Sequence, residues 1–498
     1  MLLINPPLSK PCEPPAGIAR LAGAVEGRHL SVVDAGLDAV LRVIHGPVDA
    51  DDTWTRRSKK NLGSNLDYLR NEHKWKIDRY TRAVADINRL LERSLHPAGV
   101  RATLGNYQAE DLSPVRSSDL IRAAEEPEQN PFYPFFNDWF IPQEDGLTGI
   151  SLNFLSQAIT AFAMTGYLKK MHPGIRVILG GGLVTSWIKR PGWKNPFAGL
   201  VDDMVAGPGE GYIRRLLNIE ECATHARPRY DLFPVNDYLA PGFILPYSAS
   251  GGCYWQKCRF CPEKAEGNAY MPIPHDTVLD DLASLIEAYQ PSMVHILDNA
   301  VSPSLLNRII ERPLNTGWYG FVRLTDHFKD PGFCTGLKRS GCVMLKIGIE
   351  SGDQRVLDEL NKGINLETAS IALKNLKDAG IDTYLYFLFG TPPEGPSEAR
   401  RTMEFVKKHN RLIDFINIAI FNMPSNGPDA EKYSTDKFYE GDLSLYSSFE
   451  HPKGWNRSDV RAFLDNEFRK DPDIRVILRR NPVFFTSNHA AFFVKNIG

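Results

Sequence analysis

Ser250-Gly251-Gly252-Cys253-Tyr254-Trp255-Gln256-Lys257-Cys258-Arg259-Phe260-Cys261-Pro262 offers three thiolates from one short loop that opens with glycine. Three is the informative number. A structural zinc site takes four ligands, and a closed iron–sulfur cube takes four cysteines. Three cysteines leave one iron of a cubane without a protein ligand and open to a chelating molecule. The competing reading is a zinc site completed from afar, with His275 or His295 as the missing ligand. No second Cys-x2-Cys pair and no His-x3-His pair stands elsewhere in the chain to complete one. A redox Cys-x2-Cys pair would leave Cys253 unexplained. Cys12, Cys222, Cys334 and Cys342 are scattered and read as buried or incidental thiols. Seven cysteines in 498 residues do not make the disulfide framework of a small secreted domain.

Around that loop the hydrophobic rhythm is regular. Apolar strands are readable at 245–249, 293–298, 318–323, 343–349, 383–389 and 415–421, with helical patterns between them. The clearest helix has Asn365 as its N-cap, Ala369, Ala372, Leu373 and Leu376 on one face, and Gly380 past its end. Six strands with five helical connections predict a partial (β/α)6 barrel. Reactive groups in such barrels gather at the C-terminal strand ends, which is where the cysteines fall.

Upstream, strands are expected at LLINPP, at 30–35, 149–153, 176–181 and 202–207. Helices are expected after Pro15, near Ser156 and near Thr185–Trp187. Strand–helix alternation with glycine at strand ends predicts a parallel, doubly wound sheet. It is interrupted by an insertion at about 45–145. Residues 56–93 of the insertion carry eleven Lys/Arg against five Asp/Glu, read as a solvated helical face or a basic partner surface. Residues 106–146 read as an irregular connection. A linker at 228–242 separates the two regions, and the last 70 or so residues read as a mixed extension. The expected α/β domains are therefore 1–225 (with the insertion), 226–425 and 426–498.

Composition sets outer bounds. The length argues for two or three domains, and 43% hydrophobic with 24% charged residues is ordinary for a globular protein. A net charge of −2 gives no general reason for a polyanionic partner, and no aromatic–basic pattern for binding RNA is present, so nucleic acid is not expected. No apolar run reaches membrane-spanning length and no signal peptide is read, so a cytoplasmic protein without a membrane partner is expected.

The cysteine loop resembles the Cys-x3-Cys-x2-Cys signature of radical S-adenosylmethionine (SAM) enzymes, with Phe260 in the aromatic place. It departs from that signature in having four residues in the first gap. Further matches fall at successive strand ends over about 240–425. Lys346-Ile-Gly348-Ile-Glu350-Ser351-Gly352 resembles the motif that contacts the SAM ribose. Asp298-Asn299 stand where such enzymes hold the methionine moiety, and Arg323 could meet its carboxylate. Phe387-Leu-Phe-Gly390 resembles the segment passing the adenine. The first region resembles the Rossmann-like cobalamin-binding domain that precedes many radical SAM barrels. The residues concerned are Asn5-Pro6-Pro7, Pro14-Pro15-Ala-Gly17, Asp34, Ser156, Gly180-Gly181-Gly182 and Gly207-Pro208-Gly209-Glu210. The Asp-x-His-x-x-Gly motif that gives cobalt a histidine is absent, as is a Gly-x-Gly-x-x-Gly after the first strand.

The resemblance implies a [4Fe–4S] cluster on Cys253, Cys258 and Cys261, with SAM chelating the open iron. It also implies an electron donor such as flavodoxin or ferredoxin, a 5′-deoxyadenosyl radical, and cobalamin. The expected reaction is methyl transfer to an unactivated carbon of a small molecule. Radical rearrangement or cyclisation and RNA modification stand as alternatives within enzymes, and a structural metal-cluster protein stands outside them.

Overall fold

The run Leu2–Asn5 is buried along its whole length, as a central parallel strand must be when helices cover both of its faces. In the computed structural model, which describes residues 1–71, 75–141, 143–219 and 225–493, this strand (β1) lies in a five-stranded sheet. Its partners are β2 (Ser31–Asp34), β3 (Leu147–Ser151), β4 (Arg176–Gly180) and β5 (Asp203–Met204). The order is β2-β1-β3-β4-β5 with every pairing parallel, the doubly wound form expected. Leu2 pairs with Ser31 on one side and Thr148 on the other. The order therefore reverses between β1 and β3, and the loops leaving those two strands part to opposite faces.

The insertion begins with two long helices, Thr53–Asn71 and Ile77–Leu95, packed on each other. Three of its arginines are paired with carboxylates in or just before the two helices. Arg57 meets Asp86 at 3.0 Å, Arg89 meets Asp52 at 3.0 Å, and Arg93 meets Asp51 at 2.8 Å. Residues 106–146 are not the irregular connection expected. Asn106–Ala109 closes a hairpin with Val100–Thr103, and Ser117–Glu125 and Tyr133–Trp139 are helices. Each helix spans only two or three turns and buries a few residues, such as Leu120, Ala123, Phe136 and Trp139. That is too short a stretch for a 3.6-residue period to stand out among prolines and aromatics.

A second sheet has six strands in chain order: β6 (Ile244–Tyr247), β7 (Met293–Ile296), β8 (Trp318–Val322), β9 (Cys342–Glu350), β10 (Asp382–Phe389) and β11 (Phe415–Ile420). Registers from β7 through β11 are parallel, and helices fill the crossovers. The result is an open half-barrel. The register shifts between Gly348 and Glu350, a bulge that re-aims the end of β9, and Glu350 takes a left-handed φ of 69°. The helix Leu366–Asp378 is capped by Asn365, whose side chain accepts from the Glu367 and Thr368 N–H groups.

Two compact units result: Met1–Ile244 with Tyr439–Leu445, and Leu245–Phe438 with Tyr446–Gly498. The stretch read as a linker belongs to the first unit, where the Tyr238 hydroxyl donates to Asp34 at 2.6 Å and the Leu239 N–H to the Pro11 carbonyl at 2.8 Å. The stretch read as one C-terminal extension divides. Its segment 439–445 joins the first unit, with the Ser117 N–H donating to Asp442 at 2.8 Å and the Leu443 N–H to Val115 O at 2.9 Å. The remainder adds a small antiparallel sheet and short helices to the second unit. No described helix is long and apolar enough to cross a membrane.

Candidate cluster and cofactor sites

The cysteine loop is clasped at its base. Ser250–Gly251 pairs with Met271–Pro272, and the buried Asp298 carboxylate accepts from the Ala249 N–H (2.7 Å), the Ser250 N–H (3.2 Å) and the Ser250 hydroxyl (2.6 Å). Within the clasp, Cys253, Cys258 and Cys261 are all half-buried and form no disulfide. The extra residue of the first gap is accommodated by Gln256, which turns through a left-handed φ of 52°. Cys261 caps the short helix Pro262–Ala265, and its N–H donates to the Cys258 carbonyl at 3.4 Å. Arg259 anchors the middle of the loop by pairing with Asp429.

Cations flank the thiols. Arg323 Nη1 lies 3.8 Å from Cys258 Sγ, its Nη2 donates to the Lys362 carbonyl at 2.5 Å, and its guanidinium stacks 4.1 Å from the centre of the Trp255 ring. Lys362 Nζ sits 2.8 Å from Glu350 Oε1 and 5.5 Å from the centre of the Phe260 ring. Burial pushes the Cys258 thiol up, against the pull of Lys362 and Arg323. Burial also pushes the Cys261 thiol up to about 11, against the pull of the Lys264 and Glu263 N–H groups. A coordinating metal ion deprotonates a thiol outright.

The donor set fits an open cubane. Among the described residues, no group of three or more His, Cys, Asp or Glu side chains converges as the ligands of one metal ion do. Three thiols on one loop are the donor set that a cube with one open iron takes. The candidate zinc ligands are engaged elsewhere: His295 meets Lys346 Nζ at 2.6 Å and stacks on Tyr319, and His275 reaches Ser304. Cys334 and Cys342 are buried, with their sulfurs toward the Phe328 and Met344 carbonyls. Beside the loop, burial pushes the Tyr254 phenol up, against the pull of the neighbouring Arg323 guanidinium. Cys222 lies outside the described residues.

The remaining residues assigned to SAM divide. Phe260, Arg323 and Glu350 gather around Cys258. Exposed Asn299 reaches the same loop, donating to the Gly252 carbonyl at 3.3 Å. Two do not present themselves to a ligand. Asp298 has both carboxylate oxygens engaged in the clasp. Ser351 is fully buried, its hydroxyl bonded to Thr402 and to the Asp353 N–H. Gly390 ends β10 with φ 78°, and its N–H donates to Glu394, 2.5 Å away. The sequence reading missed three residues. Lys362 and Glu394 belong to loops with no motif of their own, whereas Trp255 stood inside the quoted stretch.

In the first unit, Gly180, Gly181, Gly207, Gly209 and Glu210 come together around a cavity of about 170 Å³ walled by apolar residues of β1, β3 and β4. Asn153, not expected, also lines it, and its Oδ1 accepts from the Gly182 N–H at 2.9 Å. Asn5, Pro6, Pro7 and Ser156 do not line it, and neither does Gly182. The first three are buried, with Asn5 Nδ2 donating to Asp34 at 2.8 Å and both Asn5 and Pro6 accepting from Gln157. Ser156 donates to the Leu8 carbonyl at 2.8 Å. These four tie the loop after β1 to the next strand and helix.

Residues 247–406 match the Radical SAM superfamily. An uncharacterised methyltransferase of Pyrococcus horikoshii is 28% identical over 39% of this chain and 43% of its own. Anaerobic magnesium-protoporphyrin IX monomethyl ester cyclase of Rubrivivax gelatinosus is 24% identical over 50% and 48%. The chain spans about half the length of the curated relatives it matches. The solved radical SAM methyltransferase TsrM from Kitasatospora setae, with cobalamin and a [4Fe–4S] cluster bound, covers 88% of this chain and 81% of its own at a TM-score of 0.51 and 16% identity, a likeness of fold. Motif, half-barrel and comparisons agree that residues 247–406 form a domain of the Radical SAM superfamily, preceded by a Rossmann-like parallel sheet.

Proposed function

We propose that the chain is a cobalamin-dependent radical SAM methyltransferase acting on a small molecule, with a [4Fe–4S] cluster on Cys253, Cys258 and Cys261. The observation that carries this reading is the trio of half-buried thiols on one clasped loop at the C-terminal mouth of the half-barrel, with the unit's other cysteines turned into its core. When bound and reduced, such a cluster supplies one electron that splits SAM into methionine and a 5′-deoxyadenosyl radical, and a cobalamin supplies a carrier for the methyl group.

This chain's own part is placement and exclusion of water. Lys362 holds Glu350 by one carboxylate oxygen, which leaves the other for a ribose hydroxyl. The Asn299 amide donates to the Gly252 carbonyl of the loop and suits the methionine end of SAM. The backbone at Gly390 can pass a flat base closely. In the first unit, the glycines around the apolar cavity let a bulky ring system approach the strand ends, and an apolar heterocycle suits the walls. The relatives named as a methyltransferase and a cyclase support either outcome for the substrate radical. A net charge of −2 gives no support to an RNA substrate. A flavodoxin- or ferredoxin-class protein is the fitting electron donor.

Anaerobic reconstitution tests the reading and should yield about four irons and about four sulfides per chain. Dithionite with SAM should then release 5′-deoxyadenosine, and Cys258→Ala should abolish it. Stoichiometric zinc in place of iron would sink the enzyme reading. A purified protein that takes up no corrinoid would remove methyl transfer and leave the radical chemistry.

A further inference from the structure

Arg323 is held in place by the cysteine loop and its neighbours. It is 7% exposed, its two terminal nitrogens are directed at Cys258 Sγ and the Lys362 carbonyl, and Trp255 covers one face of the guanidinium. The guanidinium has five N–H groups, and both of its terminal nitrogens already have a partner within the protein. Trp255 is fixed as well. Its Nε1 donates to the Asn361 carbonyl at 3.0 Å, and its ring lies against Gly363, where a Cβ would stand 2.2 Å from Cζ2. Trp255 belongs to the four-residue gap, and the left-handed Gln256 follows it directly. The longer spacing thus has a structural product, an indole laid over the arginine that follows β8.

Charge distinguishes the two cations. Lys362 is neutralised by Glu350, whereas among the described residues no carboxylate lies within ion-pair distance of Arg323. A desolvated cation donating to a cluster sulfur lowers the cost of adding an electron. We propose that Trp255 and Arg323 form a fixed cap that raises the reduction potential of the cluster by hydrogen-bonding the Cys258 sulfur. Both are positioning residues, and their role rests on the cluster proposed above.

The test is potentiometric titration of the reconstituted full-length protein, followed by the electron paramagnetic resonance of the reduced cluster, with and without SAM. Arg323→Gln should shift the midpoint to a more negative value without SAM, with iron and sulfide content retained. Arg323→Lys should recover part of the shift, and Trp255→Leu should move the midpoint in the same direction as Arg323→Gln. A wild-type midpoint in Arg323→Gln without SAM overturns the proposal, and a weakened SAM affinity beside that unchanged midpoint assigns Arg323 to the carboxylate instead. If Arg323→Gln assembles no cluster, Arg323→Lys and Trp255→Leu decide, and wild-type midpoints in both overturn the cap. A wild-type protein that binds no cluster fails the functional reading first, and the two failures are therefore distinct.

Discussion

Gly363 and Trp255 show how little room the cluster loop leaves. Gly363 has φ 65°, and any side chain there would enter the indole. Gly363→Ala should cost about 1–3 kcal/mol from backbone strain alone. It should also lower the iron retained after gel filtration. Full retention at an unchanged melting temperature would show that the loop does not depend on this contact. Glu394 offers a pH-dependent check. Its burial pushes the carboxyl from 4.5 up to about 8, against the hydrogen bond from the Gly390 N–H. The folded chain keeps a proton that the unfolded chain releases. The stability from this group is therefore full below 4.5 and is lost as pH rises through about 8. Glu394→Gln, which cannot ionise, should flatten the fall in melting temperature between about pH 5 and about pH 9. Parallel curves for the two proteins would sink the assignment. Neither residue was legible in the sequence, because their roles come from what the fold brings against them. Cys253, Cys258 and Cys261 were legible because one short loop carries all three.

Among the elements, the helical insertion depends on one carboxylate. Asp86, buried on Ile77–Leu95, accepts from Trp54 Nε1 (2.9 Å), Arg57 Nη2 (3.0 Å), Ser58 Oγ (3.2 Å) and Asn65 Nδ2 (3.4 Å) on or beside the preceding helix. Asp86→Ala leaves the buried Ser58 and Asn65 unsatisfied and should cost about 2–3 kcal/mol. Faster hydrogen exchange confined to 53–95 would report it, and unchanged exchange would refute it. The apolar face of Ile77–Leu95 could be read in advance, because Tyr80, Val84, Ile87 and Leu91 recur at helical spacing and are all buried. The helices Ser117–Glu125 and Tyr133–Trp139 could not, since each buries too few residues to set up a period. The helix Leu366–Asp378 was readable from end to end because both of its ends are marked locally, by Asn365 and by Gly380 at φ 76°.

At the scale of the whole molecule, the two units predict separable losses. Gly181 has φ 105°, and a Cβ there would lie 2.5 Å from the Leu152 carbonyl. Gly181→Ala should therefore reduce corrinoid retention several-fold while iron and sulfide content stays at the wild-type level, and Cys258→Ala should do the reverse. Joint loss of both groups in either variant would show that the units do not bind independently. Sequence alone determined the trio of thiols, the six-strand rhythm behind them and the doubly wound sheet ahead of them, because each is written in local spacing and strand periodicity. Tertiary structure alone decided which polar residues are left for ligands. It turned Asp298, Ser351, Asn5 and Ser156 to internal hydrogen bonds and set Trp255 over Arg323 and Arg323 beside Cys258. It also returned 439–445 to the first unit. Those outcomes depend on contacts between residues far apart in the chain, and no local pattern encodes them.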